Sequence, residues 1–461
     1  MLADKLQCVL MGNCKILGLA LPMLLMPSLA FSAATFDKDK MDRYLESLAV
    51  HNKATLSVVL AEKGEVIYSK QTLLPNEFAK FTDDEKLYKA GSITKTFTAV
   101  LVFQQIEQGK LTLATPLSDF YPQIPNASKI TIGQMLSHRS GIFNYTNDPA
   151  FNDYFTQYQV KKKMLEKIAS FSPTFDPDSS YEYSNSNYVL LGYILEDVTG
   201  KSYTQLVQEH IINKLGLTQT VYCAEKRGCG KEQQSFYFYD SDWHLATQWS
   251  MSVANSAGAV LSTPYDLTRF MRALFKGELV SNHSLALMKG ITNTTSKGLF
   301  KLPFYNKYSY GHRGLIEGFQ SDMSYFESDD FAFSINIDAL NYNFNDITIA
   351  ILNIYYNRPF ELPDFDRKPI TLDTNQLKKY QGNFSAPNSN LDIKVFVQGQ
   401  SLMVQATGQE PLAVESFSLH EFEYKPAGIL CKFAKTVDGG VNYTKFTLYQ
   451  GNWILNYQKR Q

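Results

Sequence analysis

A chain of 461 residues is longer than one ordinary hydrophobic core supports, so two domains plus a targeting segment are expected. The 44% hydrophobic and 19% charged composition is that of a globular protein, and a formal net charge of −1, with no Lys/Arg run interleaved with aromatics, argues against nucleic acid as a partner. The His and Cys residues form no HExxH and no Cys/His pair at ligand spacing, so neither a metal site nor another cofactor is expected.

Residues 1–34 read as a signal peptide. Lys5 and Lys15 precede an apolar stretch, Ile16 to Phe31, that ends in the small residues Ser32, Ala33 and Ala34. Met11 offers an alternative start. The stretch is short for a bilayer span and Pro22 and Pro27 interrupt it, so cleavage and export to a periplasmic or extracellular space are expected, with no span left afterwards.

Residues 35–357 read as a mixed α/β unit. Two apolar runs, Thr55 to Leu60 and Glu65 to Tyr68, flank Lys63-Gly64 as a hairpin. Helical spacing follows Ser92 through Phe97, Val100, Leu101, Gln104 and Ile106, and Gly109 ends it. Further helices are predicted at Tyr188 to Val198 and at Pro264 to Leu274, the latter capped by Thr263. Cys223 and Cys229 fit either a short-loop disulfide or two unpaired thiols. Strands return at Met323 to Phe326 and Phe331 to Asp338.

Pro359, Pro363 and Pro369 then mark a linker, residues 358–371. In residues 372–461 short strands (Ile393 to Val397, Leu402 to Gln405, Phe422 to Tyr424, Lys445 to Tyr449) alternate with Gly- and Asn-containing turns, which predicts an antiparallel sandwich or barrel.

Three short strings carry the chemistry. Ser92-Ile-Thr-Lys95 opens the first long helix, whose positive end favours developing negative charge on the serine. One helical turn returns the Lys95 amine beneath the Ser92 hydroxyl, and a lysine kept neutral by burial accepts a hydroxyl proton. Tyr183-Ser184-Asn185 supplies a phenol to relay that proton and an amide to hold substrate or lysine. It competes with Tyr145-Thr146-Asn147 and Tyr355-Tyr356-Asn357, and is preferred because it ends a proline-containing loop just before a predicted helix. His312-Arg313-Gly314 reads as a polar residue and a glycine on an edge strand, where a substrate backbone approaches closely.

In this order the three motifs resemble the serine β-lactamase and penicillin-binding family, in particular its class C and D-alanyl-D-alanine carboxypeptidase branch with related esterases and D-aminopeptidases. Leu136 to Gly141, Tyr188 to Gly192 and Ser256 to Ser262 match the branch's pattern as scaffold turns. The resemblance implies an α+β fold: an antiparallel sheet flanked by a helical region, followed by a small all-β barrel-like domain. It implies Ser92 as nucleophile, Lys95 and Tyr183 as general base and acid, and Asn185, His312 and Gly314 at the substrate. The backbone N–H groups of Ser92 and Leu315 would form the oxyanion hole. His312 stands where β-lactamases carry Lys, which favours a peptide or ester substrate over a β-lactam. Arg313 either supplies the missing charge or points to solvent. The implied partner is a small molecule or peptide, with D-alanyl peptides of the cell wall leading. A β-lactamase and a catalytically silent binding module are the alternatives. A Gly-x-Ser-x-Gly elbow and a Gly-rich phosphate loop are both missing, which disfavours α/β-hydrolase, Rossmann and P-loop readings.

Overall fold

The computed structural model describes residues 36–73, 87–224, 232–290, 296–387, 389, 391–424, 427–450 and 453–460. The expected signal peptide and Cys229 lie outside them. The main sheet runs β2 (Glu65–Gln71), β1 (Ala54–Glu62), β11 (Phe331–Leu340), β10 (Phe319–Phe326), β9 (Lys307–Ile316) and β8 (Phe300–Phe304). These neighbours pair antiparallel, and a hairpin of β5 (Phe236–Tyr239) and β6 (Asp242–Leu245) joins through β11. A small second sheet sets β7 (Val260–Ser262) between β3 (Tyr88–Lys89) and β4 (Val221–Tyr222).

Helices cover the main sheet on both faces, and side-chain alternation along β9 tells them apart. Arg313 donates to Asn345 at the start of helix Phe344–Tyr355, so that helix lies on one face. His312 points the other way, towards Tyr183 and the helix that Ser92 opens, Thr94–Glu107. That helix is buried along nearly its whole length, and Phe97 stacks on Phe270 of helix Pro264–Phe275 at 4.0 Å. Thr263 caps Pro264–Phe275 by accepting from the Asp266 N–H, as the Thr-Pro pair predicts.

The C-terminal region closes into an antiparallel barrel of eight strands: β12 (Gly382–Ser385), β13 (Ile393–Gln398), β14 (Ser401–Ala406), β15 (Leu412–Ser416), β16 (Glu421–Tyr424), β17 (Ile429–Lys435), β18 (Val441–Gln450) and β19 (Trp453–Lys459). Rings fill its interior: Tyr380, Phe384, Phe422, Phe433, Phe446 and Tyr457 are all buried. Residues 358–371 have no regular secondary structure but are packed down. Phe360 meets Tyr44 edge-on at 5.3 Å, Phe365 lies against His51 and Tyr342, and His51 pairs with Asp366 at 3.2 Å. Arg367 then reaches Glu423 of the barrel at 2.9 Å. Asp37–Gln461 is accordingly one compact unit. Among the described residues no helix is long and apolar enough to cross a membrane.

Candidate active site

Ser92 sits in a short 3-10 turn, Gly91–Ile93, that runs straight into helix Thr94–Glu107. Lys95 is fully buried, one turn on, with its amine 2.9 Å from the Ser92 hydroxyl. The same nitrogen lies 2.8 Å from Asn185 Oδ1 and 2.8 Å from the Ala257 carbonyl oxygen. Burial pushes the Lys95 pKa well below the ordinary lysine value, which favours the neutral amine. A neutral amine has two N–H groups and one lone pair. Asn185 Oδ1 and the Ala257 carbonyl can only accept, so they take both N–H groups, and the lone pair is left for the Ser92 O–H. In that form the amine is placed to accept the Ser92 proton.

Tyr183 completes the cluster. It lines the same cleft as Ser92, and its ring lies over the Lys95 amine at 4.9 Å. Burial raises its pKa. Asn185 begins helix Asn185–Thr199; its amide donates to Thr146 Oγ1 at 3.1 Å, which fixes the orientation that presents Oδ1 to Lys95. The competing tyrosines make other contacts, although Tyr145 also lines the Ser92 cleft. Tyr145 is a core residue donating to the Val253 carbonyl at 2.5 Å, and Tyr355 stacks on Phe331 at 3.8 Å.

Two strings taken as scaffold from the sequence touch the cluster. Ala257, within Ser256 to Ser262, supplies the carbonyl on Lys95. His138, within Leu136 to Gly141, stacks on Tyr183 with ring centres 4.3 Å apart. Its Nδ1 accepts the Ser184 N–H at 3.1 Å, and its carbonyl accepts the Glu182 N–H at 3.1 Å. Burial pushes its pKa well below the ordinary histidine value, and its φ of +56° lies in the left-handed region. Both contacts cross long sequence gaps, and spacing alone gives no sign of either.

The third motif differs from expectation in its surroundings. β9 is not an edge strand: it lies between β10 and β8, and β8 accompanies it only as far as Gly311, so His312 to Ile316 run on past the end of that neighbour. His312 is buried against Phe300 and Tyr183, and its Nδ1 donates to the Arg313 carbonyl at 2.6 Å. Burial pushes its pKa down to about 3, so it is a neutral ring. Arg313 projects from the opposite face, where it pairs with its cross-strand neighbour, the buried Asp322, at 2.9 Å. It therefore supplies no charge to the Ser92 side of the sheet. The closeness that Gly314 permits is to protein: a Cβ there would fall 2.0 Å from the Ala90 carbonyl oxygen. Gly91, at φ +52°, lies so near the strand that its Cβ would be 3.0 Å from the Leu315 nitrogen.

These contacts bring Ser92 and Leu315 to one cleft of about 400 Å³, lined also by Thr146, Tyr183, Asn185, Tyr237, Trp249 and Glu317. Leu315 is 67% exposed, and it lies beyond the last residue that β8 pairs, Gly311. Among the described residues no cluster of His, Cys, Asp and Glu has the makings of a metal site.

The chain is similar in sequence and fold to known proteins. The chain is 26% identical over 293 residues to the putative penicillin-binding protein PbpX of Bacillus subtilis (strain 168), an alignment covering 62% of this chain and 70% of that protein. The crystal structure of a D-amino acid amidase from Ochrobactrum anthropi SV3, in complex with L-phenylalanine amide, superposes with a TM-score of 0.62 at 24% identity, covering 69% of this chain and 99% of that one. A penicillin-binding protein homologue from Pyrococcus abyssi, described as octameric, covers 91% of this chain and 100% of its own at a TM-score of 0.61 and 20% identity. Residues 41–328 match the Beta-lactamase family, well over half the chain, and the protein belongs to that family of serine hydrolase type.

Proposed function

We propose that the protein hydrolyses an amide or ester through an acyl-enzyme on Ser92. The observation that carries this is the buried Lys95 amine, its pKa pushed well below the ordinary lysine value, 2.9 Å from the Ser92 hydroxyl and 2.8 Å from each of two acceptors, Asn185 Oδ1 and the Ala257 carbonyl. In the first half-reaction Ser92 Oγ bonds to the substrate carbonyl carbon while its proton passes to Lys95. The carbonyl oxygen, now an oxyanion, is met by the N–H groups of Ser92 and Leu315. As the intermediate collapses, the C–N or C–O bond to the leaving group breaks, and Tyr183 relays the proton to the departing atom. Water then attacks the ester on Ser92, gives a proton back through the same groups, and releases the acid.

D-alanyl peptides lead as the substrate class, with small esters next. The similarity to a penicillin-binding protein and to a D-amino acid amidase supports a D-configured acyl group. The neutral His312, with Arg313 turned to the other face, provides no cation for a substrate carboxylate, which favours a small ester or a D-alanyl amide without a free carboxylate over a β-lactam. Export is part of the proposal, supported by the disulfide at Cys223, since such bonds persist in oxidising compartments.

The test is intact mass after incubation with an activated ester and, separately, a penicillin, beside Ser92→Ala. The expected result is an acyl adduct or turnover that disappears in the variant. Equal reaction of the folded Ser92→Ala protein would overturn the assignment.

A further inference from the structure

One buried ion pair at the cleft takes no part in these steps. Lys89 Nζ lies 2.6 Å from Glu317 Oε1, with the two side chains only 2% and 1% exposed. Taking two charges out of water is costly, and well-packed apolar residues often serve stability as well. Burial raises the Glu317 pKa, and Lys89 opposes that rise. The same Glu317 oxygen accepts the backbone N–H of Trp249 at 2.7 Å.

The three segments so joined are the walls of the site. Lys89 ends β3 and leads directly through Ala90 and Gly91 to Ser92. Glu317 follows β9 two residues after Leu315, and its backbone holds φ +54°, a region non-glycine residues seldom enter. Trp249 lines the cleft and is itself packed on Phe151 at 4.9 Å and Phe155 at 5.7 Å. The two oxyanion donors belong to separate chain segments, and Lys89 and Glu317 join those segments by a short directional contact. An apolar pair could fill the volume but would not fix the separation or hold the Trp249 backbone.

Building on the acyl-transfer reading, we infer that Glu317, through its ion pair with Lys89, is a positioning residue that sets the spacing of the Ser92 and Leu315 N–H groups and seats Trp249 as the wall of the cleft. It touches no reacting atom. Its effect falls on the transition state, because the donors must fit the oxyanion rather than the ground-state carbonyl.

The test uses the full chain and three variants. Glu317→Gln keeps an acceptor for Trp249 but strands the Lys89 ammonium. The double variant Lys89→Met/Glu317→Gln removes both charges. Glu317→Asp keeps the charge and withdraws it by one methylene. Two quantities are measured: the acylation rate with a p-nitrophenyl ester, and the affinity for an alkyl boronic acid, whose boron accepts Ser92 Oγ and places an oxygen where the oxyanion would be. In a folded double variant both should fall together by about 10- to 100-fold with KM unchanged, and Glu317→Asp should retain more activity than Glu317→Gln. If the double variant does not fold, Glu317→Asp alone is measured against wild type, with a smaller parallel loss expected. Wild-type acylation and boronate affinity in the folded variant would overturn the inference. A Ser92→Ala protein with wild-type ester turnover would instead remove the acyl-transfer reading, and this role with it.

Discussion

At the residue scale, the chemistry depends on keeping one amine dry. In the proposed mechanism Lys95 accepts a proton only when unprotonated, and its depressed pKa widens the range where it is so. The acylation rate should therefore rise with pH through that depressed value and reach its plateau on the acid side of 10.5, the ordinary lysine value. A rate still climbing through 10.5 in stopped-flow acylation would exclude Lys95 as the base. Replacing it by Ala should cost about 1,000-fold in kcat. Tyr183→Phe should cost about 100-fold, mostly in amide turnover, where the leaving nitrogen needs a proton. Because His138 accepts from Ser184 and occupies a left-handed backbone position, His138→Asn should keep more activity than His138→Leu. Asn retains both an acceptor and tolerance of that φ.

At the element scale, the site depends on the close approach of β9 to the serine turn. Gly314→Ala would place a methyl 2.0 Å from the Ala90 oxygen and 2.4 Å from Ser321 Oγ. The expected outcome is a stability loss of about 1–3 kcal/mol by denaturant titration and a drop in kcat. Asp338 on β11 is buried, its pKa raised to about 6 by desolvation, against which hydrogen bonds from Thr55 and Gln233 work. Its folded pKa exceeds the unfolded 3.8, so its contribution is full below 3.8 and is lost as pH rises through about 6. Asp338→Asn should accordingly be more stable than wild type at pH 8, by up to ~3 kcal/mol, and match it near pH 4. Equal melting temperatures at pH 8 would contradict this. Sequence periodicity made the helices legible, because Thr263-Pro264 and Gly109 mark their ends locally. It also brought Ser92 and Lys95 together, since one helical turn relates them. The place of β9 inside the sheet, and the side on which Arg313 falls, depend on pairing with β8 and β10, which no local pattern encodes. The contacts of Ala257 and His138 with the site were out of reach for the same reason.

At the scale of the whole molecule, the barrel is tied down away from the cleft. Phe360 and Phe365 anchor the connecting segment against helix Lys38–Val50 and Tyr342, and Tyr342 precedes the helix on the Arg313 face of the sheet. Deleting residues 372–461 should therefore leave kcat/KM for a small ester unchanged; altered ester preference would assign the barrel a role at the site. In sequence, alternating patterns exposed four of the eight strands, β13, β14, β16 and β18, and left β12, β15, β17 and β19 unmarked. Closure itself was invisible, because it rests on β12 meeting β19 through Phe384↔Lys459 and Ser385↔Gln458. That seam makes the domain a hoop with a single clasp. Removing only the clasp strand would leave two raw edges, on β12 and β18, each a template for a foreign strand. A chain clipped before Trp453 should thus aggregate more readily than one lacking the entire hoop, so that losing less does more harm.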